Sequence, residues 1–212
     1  MNFFESPQLA VLRIFAVLLA LTVHEASHAW AADSLGDPTP RLRGRLSLNP
    51  LAHLDVLGTI FFFIVGLGWA KPVPVNPSYF KNPRRDDFLV SLAGPLSNIT
   101  LAILMAVSLR FFDRLIPLAQ RYPIIETPLE FAFGVATMSV MMNIGLAFFN
   151  LIPIPPLDGS GIVASLLPPR LSEEYQRMGQ YGFLVLFALV FLGAFEKLLF
   201  PLIDAASGAL LG

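Results

Sequence analysis

No cysteine occurs in the 212-residue sequence. That excludes a disulfide framework and any thiolate metal site, so a metal ion here would be held by histidine and carboxylate, the ligand set of a catalytic rather than a structural zinc. Charge is scarce as well: 14% of the residues are Asp, Glu, Lys or Arg and the formal net charge is −1. Such a chain offers no basic field, and nucleic acid is excluded as a partner. No internal repeat, low-complexity tail or appended water-soluble domain is visible. What the sequence has in quantity is apolar surface, with 55% hydrophobic residues and a mean hydropathy of +0.68. Those values belong to a protein of the lipid bilayer.

The apolar residues come in runs. Residues 8–31 are long enough to cross the ~20-residue bilayer core, and the chain start, which resembles a signal sequence only loosely, reads as retained. Two further runs, 88–112 and 131–152, also have spanning length, and 181–203 reads as a last span. Residues 56–70 are apolar but short and are interrupted by Gly58, Gly66 and Gly68, which suits a re-entrant or buried segment, with a tilted short span as the alternative. Between the runs, residues 41–49 alternate polar with apolar or small side chains, the period of a short β element at the membrane surface. Lys71 to Pro77 is proline-stiffened and extended, residues 110–130 read as a polar connector, and 168–180 as a polar, partly helical loop. The expected fold is an all-α polytopic membrane protein: about four transmembrane helices, a small surface β element and a re-entrant segment. All of it forms one membrane-embedded domain over 1–212, with 41–87 as a β/re-entrant cap and 88–161 as a helix pair carrying the third candidate metal ligand.

Ionisable groups inside such runs cost roughly 2.5 to 3.5 kcal/mol each on insertion scales, so their presence calls for a purpose. The first run ends in His24-Glu25-Ala26-Ser27-His28. On a helix, residues four apart share a face, so His24 and His28 could grip one metal ion with Glu25 beside them as general base; the alternative is a pair of packing histidines. A catalytic zinc takes three protein ligands and keeps a fourth position for water. The best third candidate is Asp158, which follows the proline-rich stretch Pro153 to Pro156 at the mouth of the third run and is expected in fixed extended backbone. Alone, Asp158 before Gly159 could be a turn residue. Asn98 reads as a helix-packing hydrogen bond or as a partner that orients a zinc ligand. Gly94-Pro95 reads as a kink with close packing. His53, beside Asp55, is an interfacial residue, or else a substrate gate or added ligand reaching the site from the cap.

Three segments together resemble the site-2 proteases, a family of intramembrane zinc metalloproteases: HEASH at 24–28, Ser91-Leu92-Ala93-Gly94-Pro95-Leu96-Ser97-Asn98, and N-L-I-P-I-P-P-L-D-G at 150–159. The resemblance covers most of the chain from Val23 to Gly161 and is to the minimal members, with no PDZ or other regulatory domain evident. It implies Zn2+ held by His24, His28 and Asp158, Glu25 as general base, and Asn150 holding substrate backbone or polarising the scissile region. It also implies a transmembrane helix of another membrane protein as substrate, in a bacterial or archaeal plasma membrane. A non-catalytic zinc scaffold and a transporter are the competing readings. A scaffold has no use for a base at Glu25, and a transporter would show inverted repeats that are absent.

The metal hypothesis constrains topology. For His24 and His28 to meet Asp158, an even number of crossings must separate them, and 88–112 with 131–152 already supply two. If 56–70 is re-entrant, one side carries Arg41, Arg43, Arg45, Lys71, Lys81, Arg84, Arg85, Arg170 and Arg177, and the other Arg13, Arg110, Arg114, Arg121 and Lys197. If it spans, the cations divide equally and orient nothing. The positive-inside rule thus favours a re-entrant 56–70 with the site's mouth cytoplasmic.

Overall fold

The computed structural model describes residues 6–65 and 68–212. Helix α1 (Pro7–Ser34) starts where Ser6 accepts a hydrogen bond from the Leu9 amide at 3.2 Å and Pro7 supplies a φ already suited to a first turn. Helices α4 (Pro83–Arg121) and α5 (Glu126–Asn150) pack with α1 into a three-helix core. Its buried residues are mostly small, Ala16, Ala20, Ala102, Ala106, Ala136 and Ala147, which lets the backbones approach closely. Large apolar side chains such as Phe15, Leu104, Phe111, Leu184 and Phe191 point outward instead. A surface of that kind suits lipid and not water. Among the described residues, three helical stretches are long and apolar enough to cross a membrane, Pro7–Ser34, Pro83–Phe112 and Pro123–Asn150.

The last span has a different form from the one expected. Residues 181–203 divide between α8 (Gly182–Phe191) and α9 (Ala194–Leu211), and the run of α7 (Pro169–Arg177) and α8 bends by 78° into α9. Gly193, at φ 67, makes the break, because a left-handed residue ends the helical hydrogen-bond ladder. Counting this bent pair as one span gives four.

The surface β element is not found. Residues 41–49 begin in the short helix α2 (Thr39–Leu42) and continue through turns, with the Gly44 amide bonded to the Arg41 carbonyl and the Arg45 amide to the Pro40 carbonyl. The alternation misleads because its apolar side is not buried: Leu42 and Leu48 are 79% and 73% exposed. Among the described residues, the β pairing is an isolated antiparallel bridge between Leu54 and Ala70.

That bridge joins the two ends of 56–70. Helix α3 (Val56–Val65) has 10 residues, roughly 15 Å of rise against a ~30 Å hydrocarbon core. The Leu54–Ala70 bridge, with the Lys71 amide on the His53 carbonyl at 2.8 Å, brings both ends of the segment together. The chain therefore enters and returns at the same end of the molecule, although Gly66 and Leu67 lie outside the described residues. Two further expectations change. The connector after 110 stays helical to Arg121, and Asp158 is not in extended backbone but is the first residue of α6 (Asp158–Leu166), preceded by extended Leu157.

Candidate active site

Helix α1 presents His24 and His28 one turn apart, and α6 brings Asp158 to them. His24 Nε2 lies 3.1 Å from Asp158 Oδ2, His28 Nε2 lies 3.2 Å from Asp158 Oδ1, and the two Nε2 atoms are 3.1 Å apart. All three side chains offer ligand atoms within 4.8 Å of one another.

The other nitrogen of each ring decides the chemistry. His24 Nδ1 lies 2.6 Å from Asn98 Oδ1, and the Asn98 amide nitrogen donates to the Ala20 carbonyl at 3.1 Å and to Asn143 Oδ1 at 2.7 Å. With its amide so oriented, Asn98 can only accept from the ring, and Nδ1 of His24 carries the proton. His28 Nδ1 lies 2.7 Å from the Val90 carbonyl, which likewise only accepts. As neutral imidazoles, both rings turn the Nε2 lone pair toward the other and toward a carboxylate. Three electron-pair donors face one point, which is unfavourable unless a cation stands between them.

The spacing fits zinc. In a tetrahedral site with bonds of ~2.0–2.1 Å, neighbouring ligand atoms lie roughly 3.3 Å apart, close to the three distances here. Asp158 Oδ2 is buried and has no hydrogen-bond partner, as an oxygen reserved for a metal would be.

Helix α4 leaves space beside the donors at Gly94. A Cβ there would lie 2.3 Å from His28 Nε2 and 2.7 Å from His24 Nε2, inside the space that the donors face. Gly159 plays the matching part behind Asp158, where a Cβ would meet the Leu151 and Ile152 carbonyls at 2.3 and 2.5 Å. The close approach of α6 to the end of α5 is what aims Asp158 at the histidines.

A cleft of about 490 Å³ opens on these residues. Glu25 and Asn150 line it together with His24, His28 and Asp158. One wall is the extended chain from Gly68 to Val75, and the other carries Phe183, Leu186 and Phe187 of α8. Trp69 joins the walls through a ring contact with Phe183 at 6.3 Å, and Phe61 of α3 adds one with Phe187 at 5.7 Å. Asn150 donates one amide hydrogen to the Leu146 carbonyl at 3.1 Å.

His53 is not brought to the cleft. It is 1% exposed, with Nε2 2.7 Å from the Ser47 carbonyl and Nδ1 3.4 Å from the Arg45 guanidinium. An acceptor on one side and a donor on the other leave it no lone pair for a metal. Arg45 in turn donates to the carbonyls of Lys71 and Pro72 and so fixes the extended wall from behind. Burial pulls its guanidinium below the ordinary value, while the charge of Glu25 acts in the opposite sense.

Sequence reasoning missed Asn143, which is fully buried on α5, bonds to Asn98 and donates to the Ser139 carbonyl at 2.8 Å. Its signal was available, since an Asn in mid-membrane needs a partner. The Val90 carbonyl had no signal at all, being backbone.

A family model described as peptidase family M50 matches residues 120–193. A Bacillus subtilis protein named "Putative zinc metalloprotease YwhC" is 37% identical over 201 residues, covering 93% of this chain and 88% of that protein. The chain belongs to peptidase family M50. M50 is the site-2 protease family, which is zinc-dependent, and membership makes the protein a zinc metalloprotease by descent. A second relative, "Putative zinc metalloprotease Rip2" of Mycolicibacterium smegmatis, is 29% identical over 199 residues, covering 91% of this chain and 71% of that protein. The protein of the same name in Mycobacterium tuberculosis is 34% identical over 176 residues, 79% of this chain and 60% of that one. No solved structure matches the chain.

Proposed function

We propose that this M50 protein is an intramembrane endopeptidase that cuts a transmembrane segment of another membrane protein near the cytoplasmic leaflet, with His24, His28 and Asp158 as zinc ligands and Glu25 as general base. The observation that carries this reading is the convergence of two buried histidines and the half-buried Asp158 on a cleft that Glu25 also lines. When bound, zinc polarises a carbonyl as a Lewis acid and lowers the pKa of a water to about 7. Glu25 takes the proton from the attacking water and passes it to the departing amine as the C–N bond breaks. Asn98 holds His24 in the tautomer that leaves Nε2 free. Asn150 keeps a second N–H and its Oδ1 for substrate backbone, and the Arg45-braced wall supports an unwound strand.

An intact helix hides its carbonyls in internal hydrogen bonds, so the substrate must unwind before a carbonyl can reach the site. Helix-breaking residues near the cut should therefore raise the rate. The exposed cations Arg41, Arg43, Lys71, Lys81, Arg84 and Arg85, which fall on the same side as the site's mouth in a re-entrant topology, support the cytoplasmic orientation.

The test is a cleavage assay on a reconstituted membrane peptide together with zinc stoichiometry. Glu25→Gln should keep its zinc and lose about 10²–10⁴-fold in rate. His24→Ala and Asp158→Ala should lose the metal itself. Cleavage by Glu25→Gln at the wild-type rate would overturn the reading.

A further inference from the structure

The cleft holds one acid more than the metal and the base require. With zinc in place and both imidazoles neutral, the two positive charges of the ion are matched by Asp158 and Glu25. Asp87 remains. It is half-buried and lines the same cleft, three, four and seven residues before Val90, Ser91 and Gly94, which puts it on the face of α4 turned toward the zinc donors.

The groups around Asp87 leave it without a cation. Among the described residues no Lys or Arg lines the cleft and no ion pair includes Asp87. Arg84 is directed to the last carbonyls of α6, bonding Ser165 at 3.0 Å and Leu167. Arg85 is exposed. The Ser165 hydroxyl bonds Asp87 and also the Gly161 carbonyl at 2.8 Å, but a neutral hydroxyl leaves the charge of the carboxylate unbalanced. Nor is Asp87 needed to start its helix, because the buried Asp86 already accepts from the Asn82 amide at 3.0 Å. A carboxylate left at an apolar wall without a cation is unfavourable.

We propose that Asp87 is a specificity-determining residue that receives a Lys or Arg side chain of the substrate segment. The proposal rests on the peptidase reading of the cleft. Membrane segments carry their Lys and Arg at the cytoplasmic end, and these side chains lay an apolar stem along a greasy surface while the charged head reaches outward. The position is also specified. Asp87 lies seven residues from Gly94 along α4, about 10 Å at 1.5 Å per residue. An extended substrate covers that distance in about three residues, so the favoured cation stands about three residues from the scissile bond, on the side nearer the membrane surface.

The test uses synthetic apolar membrane peptides with a central Asn-Gly helix break and Lys, Ser or Glu three residues to either side of the cut. For the wild type, Lys should be preferred over Ser by about tenfold in kcat/KM, carried by KM, with Glu poorest. Asp87→Asn should level the series and Asp87→Lys should reverse it, while zinc stoichiometry reports that each variant is folded. The wild-type series decides the matter even where a variant fails to load zinc, since a flat response to charge overturns the proposal. So does an Asp87→Asn series with wild-type ratios. Binding of the same peptides to zinc-loaded Glu25→Gln protein separates the two readings. Charge-ordered binding with no cleavage by wild type would sink the peptidase assignment alone, and cleavage with charge-independent binding would sink the role of Asp87 alone.

Discussion

At Gly94 the backbone of α4 passes against both imidazoles, so the smallest possible side chain decides whether a metal fits. Gly94→Ala places a methyl group 2.3 Å from His28 Nε2, and the variant should fold yet bind little zinc, which metal analysis of the purified protein would show. Asn98 acts one step further out. Removing the acceptor on His24 Nδ1 frees the ring to turn and to change tautomer, so Asn98→Ala should weaken zinc binding about 10–100-fold, measurable by competition with a chelator. Asn143→Leu touches no ligand but leaves the Asn98 amide short of an acceptor in a dry core. It should destabilise the fold by about 1–3 kcal/mol while the bound zinc per folded molecule stays constant.

Among the elements, the extended wall from Gly68 to Val75 is the least self-sufficient. Prolines at 72, 74 and 77 remove amide donors, and the chain is held from behind by the Arg45 guanidinium on the Lys71 and Pro72 carbonyls. The planar fork of an Arg reaches two carbonyls and the His53 ring together, whereas Lys offers a single point charge. Arg45→Lys should therefore raise KM several-fold with zinc content unchanged, and kinetics on a membrane peptide would read the difference. His53 belongs to this brace and not to the metal. His53→Ala leaving zinc stoichiometry at the wild-type value is the expected result, and loss of zinc would show that the ring reaches the site after all.

For the molecule as a whole, two crossings by α4 and α5 bring Asp158 back to the end of α1 where the histidines lie. Because the sequence contains no cysteine, single-cysteine variants report sidedness without background. Ser47→Cys and Gln120→Cys should label from opposite faces of the membrane, position 47 from the cytoplasm. Labelling of both from one face would break the topology that the zinc site demands.

Much of this was legible before any coordinates. The histidine pair four residues apart, the apolar runs and the parity of crossings follow from period, length and the cost of buried charge, which are properties of a sequence read locally. The β element failed for the same reason: alternation shows a possible face but not whether anything covers it, and nothing covers Leu42 or Leu48. The break at Gly193 and the helical start at Asp158 depend on backbone torsions set by neighbours. Asn143, the Val90 carbonyl and the brace from Arg45 through His53 join residues far apart in the chain. The sequence by itself determined which groups could hold zinc and how many crossings must separate them. Only the tertiary structure decided what orients those groups, because hydrogen bonds across α1, α4 and α5 and the close approach at Gly94 depend on packing that no local pattern records.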